Sequence, residues 1–301
     1  MESVYWVFTQ VCNDKCDHCY NMSGPQGSKM TEEECMAVID HMPDKIDRLI
    51  LSGGEPLAEY KKLYLILDRL KEKYGDATQI MLQTNGDLLT EEKLDTLIEK
   101  GVTRFDIASI DRYHKAKGER LEILADLFKS RGVSDDEPEP LVKKDNYLQK
   151  HRLTWGYWGA TEDMWLGGNW ARGRAMEMDI WNKDPQHNFC AILSGGIGFL
   201  DGAEGIPQEI SIQLWQINPC CPGTKQPLGD ARIEKVSNIL DKVSKSEIFQ
   251  WLNKGNPWKM GESIGITEDY AKQRTEAMRN ICLWCDEFFD KHYDIRELVG
   301  K

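Results

Sequence analysis

No stretch of about 18 or more consecutive apolar residues occurs in the chain, so nothing in it reads as a membrane span. The opening MESVYWVFTQ lacks a charged segment leading into a long apolar run. It reads as a first buried strand and not as a secretory signal, and a cytoplasmic protein is expected. Basic residues are in deficit: 38 Lys and Arg stand against 50 Asp and Glu, a formal net charge of −12. No basic stripe interleaved with aromatics supplies the clustered cations that neutralise phosphates, so no nucleic-acid partner is expected. Internal repeats and low-complexity linkers are absent as well. Nine cysteines are present, but without an export signal they do not read as a disulfide framework, because the cytosol keeps thiols reduced. Their placement points to metal chemistry.

The 301 residues suffice for one large domain, or for a catalytic domain with a smaller appendage. The first half alternates strand and helix patterns. Val4 to Thr9 is a β-rich apolar run, and TEEECMAVIDHM opens with Thr31 three residues before Glu34, a capping box. The strand RLILS, a helix near 59–74, the strand TQIMLQT, a helix after Thr90 that stops at Gly101, and the strand RFDIAS follow. A helix near 119–131, the acidic loop SDDEPEP and the strand LTWGYWG continue the series. This order predicts an α/β fold built on a parallel sheet. In such folds chemistry gathers at the C-terminal ends of strands, where the first cysteine loop, GGEP, TNG and Ser109-Ile110-Asp111 all fall. From about 186 onward glycine turns, the strand EISIQLWQI and helices near 232–252 and 267–280 replace the repeat. Two domains are therefore expected, 1–185 and 186–301.

Cys12, Cys16 and Cys19 form C-x3-C-x2-C. Three thiolates on one short loop can hold three irons of a cubane and leave the fourth for another ligand. A structural zinc would want four ligands, and His18, next to Cys19, is badly placed to be the fourth. The spacing favours the cluster. Four of the remaining cysteines come from three segments: Cys190, Cys220 after Pro219, and the C-x2-C pair Cys282 and Cys285. On chemistry alone this closed tetrathiolate set admits zinc or a [4Fe–4S] cluster. Cys35, inside a helical pattern, reads as a buried structural thiol.

CNDKCDHCY followed by SGGEP resembles the radical S-adenosylmethionine (SAM) superfamily over roughly residues 4–180. The resemblance implies a partial (β/α)6 TIM-like barrel. It also implies a [4Fe–4S] cluster on Cys12, Cys16 and Cys19, with SAM chelating the fourth iron. Tyr20 matches the aromatic residue after the last cysteine. Gly53, Gly54, Glu55 and Pro56 match the GGEP motif that binds the SAM amino group; an ammonium needs acceptors, and close backbone approach needs glycine. Asn85 in the TNG turn, and Ser109 and Asp111 in an S-x-D pattern, are implied as further SAM contacts. The plain alternatives are a tight turn at Gly53-Gly54 and at Asn85-Gly86, and a helix cap at Asp111. Behind such a domain the second cysteine set resembles the Twitch region, the short form of the SPASM domain, and implies one auxiliary [4Fe–4S] cluster. Cys220 and Cys221 are adjacent alternatives for one of its ligands, with the residue after proline favoured. The full C-x2-C-x5-C-x3-C pattern is absent, so a third cluster is not expected.

These features together predict an oxidoreductase-type enzyme using two [4Fe–4S] clusters and SAM. It is expected to oxidise a small biosynthetic metabolite by two electrons, as do 2-deoxy-scyllo-inosamine dehydrogenase-type enzymes, which it resembles. An external reductant such as flavodoxin or ferredoxin is implied, and a small molecule is favoured over a peptide as substrate. A peptide maturase is the alternative, against which stands a first strand that starts by Val4. A zinc-stabilised binding protein would leave GGEP and the open cysteine loop unexplained. Five of the ten tryptophans (155, 158, 165, 170 and 181) cluster with Glu162, Asp163, Arg172 and Arg174 after the fifth strand. Core packing is the favoured reading there, a substrate wall the other, and no residue in it stands out as a general base.

Overall fold

The computed structural model of the chain describes residues 3–108, 117–135, 152–159, 166–192 and 209–300. Nine strands form one sheet in the order β5-β6-β4-β3-β2-β1-β7-β8-β9. Six parallel strands carry the architecture: β1 (Ser3–Val7), β2 (Arg48–Ser52), β3 (Gln79–Thr84), β4 (Val102–Ala108), β6 (Thr154–Trp158) and β7 (Glu209–Gln213). β5 (Ser134–Asp135) adds a short parallel edge. The register sets Val7 beside Ser52 and Gln213, Leu51 beside Leu82, Thr84 beside Ile107 and Ala108 beside Trp158. All six C-terminal ends therefore reach one rim. The parallel sheet is the one expected from the repeat, and the whole is the partial (β/α)6-type barrel that the family resemblance implied.

The helices form on apolar stripes, and Thr31 and Thr90 add side-chain caps at two of their starts. α1 (Glu32–His41) begins with the capping box: Thr31 Oγ1 accepts from Glu34 N at 3.2 Å and Glu34 returns the bond to Thr31 N at 2.9 Å. α2 (Tyr60–Tyr74) buries Leu63, Ile66, Leu67, Leu70 and Tyr74, one helical face. Thr90 caps α3 (Glu91–Glu99), α4 (Lys117–Ser130) follows β4, and a short α5 (Gly173–Glu177) comes after β6.

Alternation along the strands divides the interior in two. Val4 and Trp6 of β1 and Phe8 just after it, with Leu49, Leu51, Ile80 and Leu82, pack outward into the helix-covered core. Tyr5, Val7, Ile50 and Met81 face the concave side. Ser52 and Gln83 continue that inner face towards the rim, two residues beyond Ile50 and Met81.

Beyond residue 185 the sheet runs on, because β7 pairs with β1. The stretch EISIQLWQI, expected as one strand, is a hairpin: β7 turns at Leu214, whose φ is 57°, into β8 (Gln216–Asn218), and β9 (Gly229–Asp230) follows. Trp6 fixes the corner by donating its indole N–H to Leu214 O at 2.9 Å. The helix expected near 232–252 is two, α6 (Val236–Val243) and α7 (Glu247–Asn253), parted at Ser244–Ser246. α8 (Glu268–Met278) and α9 (Ile281–Lys291) follow, and a 3-10 turn, Ile295–Val299, closes the described chain. None of the described helices is long and apolar enough to cross a membrane.

Candidate active site

The loop after β1 folds back onto the rim. Cys12 N donates to Gly24 O and Gly24 N to Gln10 O, so the loop is closed by backbone bonds. Asp14 N points at Cys12 Sγ (3.4 Å) and Ser23 N at Cys19 Sγ (3.3 Å), donors aimed where thiolates would carry charge. Cys12, Cys16 and Cys19 line one open cavity of about 920 Å³, measured with its mouth. Burial pushes the Cys12 thiol up to about 11 and raises Cys16 further, and the neighbouring carboxylates and thiols add to it. A nearby cation is what such a crowded set needs to ionise.

The GGEP turn holds this loop. Gly54 N donates to Thr9 O and Glu55 N to Val11 O, both at 2.8 Å. A Cβ on Gly54 would lie 2.4 Å from Val11 O, so only glycine allows that approach. Glu55 is fully buried, and its carboxylate accepts from Leu57 N (2.9 Å), Thr84 Oγ1 (2.7 Å) and Asn85 N (2.7 Å). Burial raises its pKa while these donors pull it back. The Glu55 side chain thus straps the end of β2 to the end of β3. Pro56 begins the buried turn that follows. Asn85 extends the strap by donating its side chain to Asn13 Oδ1 in the cysteine loop at 3.0 Å. Gly53, Gly54 and Asn85 all line the cavity with the cysteines. Ser109 and Asp111 lie outside the described residues, as do Glu162, Asp163 and Trp165 of the tryptophan segment; Ala108, just before Ser109, is on the cavity wall.

The cavity floor is polar. Tyr5 Oη lies 2.8 Å from Ser52 Oγ, 3.0 Å from Gln83 Oε1 and 3.3 Å from Tyr20 Oη, within hydrogen-bond reach of all three, and Ser52 Oγ reaches Gln83 Oε1 at 3.1 Å. Tyr20 Oη is 3.7 Å from Cys221 Sγ and packs edge-on against Trp170. The tryptophans divide accordingly: Trp170 lines the cavity, whereas Trp155 stacks on Phe128 in the helix-side core at 4.9 Å.

A second group of cysteines sits behind this floor. Asn280 caps α9 by accepting from Cys282 N at 2.9 Å, and Cys285 follows three residues on, on the same face. Cys190 stands on a helical turn at 189–192, and Cys220 follows β8. Burial pushes Cys220 up to about 12 and Cys282 to about 11, and raises Cys190 and Cys285 strongly. The charges of these thiols act on one another. Cys221 instead faces Tyr20 and the cavity floor. Among the described residues no three His, Cys, Asp or Glu side chains converge on the volume of a single ion; a cubane asks for less convergence, since each thiolate reaches its own iron. Cys35 is buried on α1 in the helix-side core, away from both groups.

Arg172 and Arg174 had no role assigned from sequence. Arg174 donates to Cys16 O (2.8 Å) and Ser23 O (2.5 Å), and Arg172 meets Asp286 beside Cys285. Tyr5, Ser52 and Gln83 were also missed. The alternation along their strands is the signal that places them on the inner face.

Residues 6–121 match the model of the Radical SAM superfamily. An AdoMet-dependent heme synthase of Methanosarcina barkeri is 36% identical over 114 residues, which is 36% of this chain and 30% of that protein. A pre-heme d1 synthase of Dinoroseobacter shibae is 32% identical over 111 residues, 36% of this chain and 26% of that one. The alignments thus span less than a third of these curated relatives. The crystal structure of BtrN in complex with AdoMet and 2-DOIA is 17% identical, covers 85% of this chain and 88% of that one, and superposes with a TM-score of 0.45, too loosely to transfer any feature.

Proposed function

We propose, from the premise that residues 6–121 form a radical SAM domain, that the chain is an enzyme oxidising a small metabolite by two electrons. The observation that carries this reading is the single cavity that Cys12, Cys16, Cys19, Gly53, Gly54 and Asn85 line together with a polar floor. The three cysteines would hold the cluster whose fourth iron takes SAM. With SAM bound, that cluster supplies a 5′-deoxyadenosyl radical that removes a hydrogen atom from the substrate. The chain's own residues do the rest. Gly53 to Pro56 shape the SAM seat, with Ser109 and Asp111 as further contacts. Tyr5, Ser52 and Gln83 offer a substrate fixed hydrogen-bonding partners, and Leu166 and Trp170 shield the reacting atoms from water.

Cys190, Cys220, Cys282 and Cys285 would hold an auxiliary [4Fe–4S] cluster. Four thiolates from the chain would leave it no open iron, so the chemistry it would supply is acceptance of an electron and not substrate binding. Cys221 stays a thiol facing Tyr20. A small substrate suits a cavity shared with SAM, and the names of the two relatives specify small-molecule products. On this reading residues 1–185 are the catalytic domain, residues 186–301 carry the second cluster, and a flavodoxin or ferredoxin in the cytoplasm supplies the reducing electron.

Anaerobic reconstitution tests the assignment. The full chain should take up about eight irons, four per cubane. Cys220→Ser should fall to about four, and Cys221→Ser should keep about eight. A wild-type value near four with stoichiometric zinc would make the second set a structural zinc site.

A further inference from the structure

One short turn, residues 172–174, touches both cysteine groups. Arg174 grips the first: its backbone N–H donates to Cys19 O at 2.9 Å, and its guanidinium donates to Cys16 O and Ser23 O. Two residues earlier, Arg172 reaches the second. Its guanidinium meets both oxygens of Asp286 at 3.0 Å and donates to Gly223 O (3.4 Å) and Cys282 O (3.5 Å). The side chain of Arg172 is 15% exposed and that of Asp286 10%, so water screens this charge poorly. Gly173 between them has φ +51°, and a Cβ there would fall 2.4 Å from Tyr20 O.

Arg172 therefore sets a buried positive charge against the helix turn that carries Cys282 and Cys285 and against Gly223, whose N–H donates to Cys220 O, and the carboxylate of Asp286 partly offsets that charge. Lys225, paired with Asp290 at 3.7 Å, is a more exposed cation near Asp286. A guanidinium does not deprotonate in the physiological range, so the charge of Arg172 is permanent.

We infer that Arg172 is a positioning residue that sets the reduction potential of the group held by Cys190, Cys220, Cys282 and Cys285. Its turn, through Arg174, holds that group in fixed relation to the Cys12–Cys19 loop. This rests on the reading of the four cysteines as cluster ligands. Reduction adds one negative charge to an all-thiolate cluster, and a fixed buried cation favours that form, as net charge around a cluster does generally. The cation thereby biases transfer of the substrate's electron towards the second site, with Asp286 attenuating the bias.

The experiment is an EPR-monitored redox titration of the anaerobically reconstituted full chain. The two clusters are distinguished by adding SAM, which perturbs only the signal of the three-cysteine cluster. Arg172→Gln should shift the one-electron reduction equilibrium of the SAM-insensitive cluster against the reduced form by at least tenfold, a midpoint about 59 mV lower. Arg172→Lys, which keeps the charge, should stay within about threefold of wild type. Asp286→Asn should move the midpoint the other way. Arg172→Gln with full iron and an unchanged midpoint overturns the inference, as does a shift of the same sign in Arg172→Gln and Asp286→Asn. If Arg172→Gln takes up no second cluster, the rise in Asp286→Asn with retention in Arg172→Lys supports the inference and their absence overturns it. About four irons in the wild type removes the cluster reading itself and the inference with it.

Discussion

Replacing Glu55 by alanine should destabilise the chain far more than an ordinary surface change. Its carboxylate is fully buried and accepts three hydrogen bonds, from Leu57 N, Thr84 Oγ1 and Asn85 N. Hydrogen bonds to a charged acceptor contribute about 1.5–3 kcal/mol each, and stranded buried donors cost a similar amount. The three share one acceptor group and are not additive, so the loss is about 3–5 kcal/mol. At roughly 2–3 °C per kcal/mol in a chain of this size, the apo protein should melt roughly 6–15 °C lower. Glu55→Gln keeps an oxygen for Leu57 and Thr84 but turns an amide N–H₂ towards Asn85 N–H, and should lose about half as much. Circular-dichroism melts of the reduced apo chain, with urea titration as the equilibrium check, measure both. The damage should also reach the site, since Asn85 holds Asn13 of the cysteine loop, and SAM affinity should fall with stability. An alanine variant melting within about 2 °C of wild type would refute the account of Glu55 as the strap between two strand ends.

Gly173→Ala should leave the fold standing but cut the iron held by the three-cysteine loop by more than half, because its Cβ would press on the backbone oxygens of Tyr20 and Cys19 at 2.4 and 2.6 Å. Iron analysis against a wild-type control checks this, and full iron content would contradict it. The Arg274–Glu287 pair, which joins α8 to the cysteine-bearing α9 at 2.7 Å, should make stability acid-sensitive. Hydrogen bonding to Arg274 holds the Glu287 pKa down to about 2 against an ordinary value of 4.5. Its contribution is therefore complete above about pH 4.5 and lost as pH falls towards 2. Urea midpoints measured across that window should drop more steeply in wild type than in Glu287→Gln, and parallel curves would exclude the pair as the cause.

Much of this architecture was legible because local signals agreed with the global pattern. Thr31 with Glu34, and Thr90, announced helix starts that the backbone honours. The cysteine loop, GGEP and TNG fell at strand ends because parallel strands of similar length share one rim. The hairpin at Leu214 was hidden: no glycine or asparagine marks a turn whose positive φ is secured by tertiary contacts, with Leu214 N donating to Val7 O and Trp6 to Leu214 O. The break between α6 and α7 falls at Lys245 between two serines, a weak stop signal that packing decides. The motif also hid how its parts divide the work. Glu55 reads as a ligand contact, and the bonds its side chain accepts from Thr84, Asn85 and Leu57 add a structural task that the motif does not encode. Arg172 and Arg174 were visible only as charges in an aromatic segment. The partners that tie them to the two cysteine groups lie between 51 and 158 residues away in sequence, and no local pattern encodes such pairing.

The most direct measurement of the central claim is the yield of 5′-deoxyadenosine from SAM under strong reductant, wild type beside Cys16→Ala. Two remaining thiolates cannot hold a cubane with one iron open to SAM. The account predicts reductive cleavage in the wild type and none above background in Cys16→Ala. Wild-type yields from the variant, or no cleavage by the fully reconstituted wild type, would contradict it.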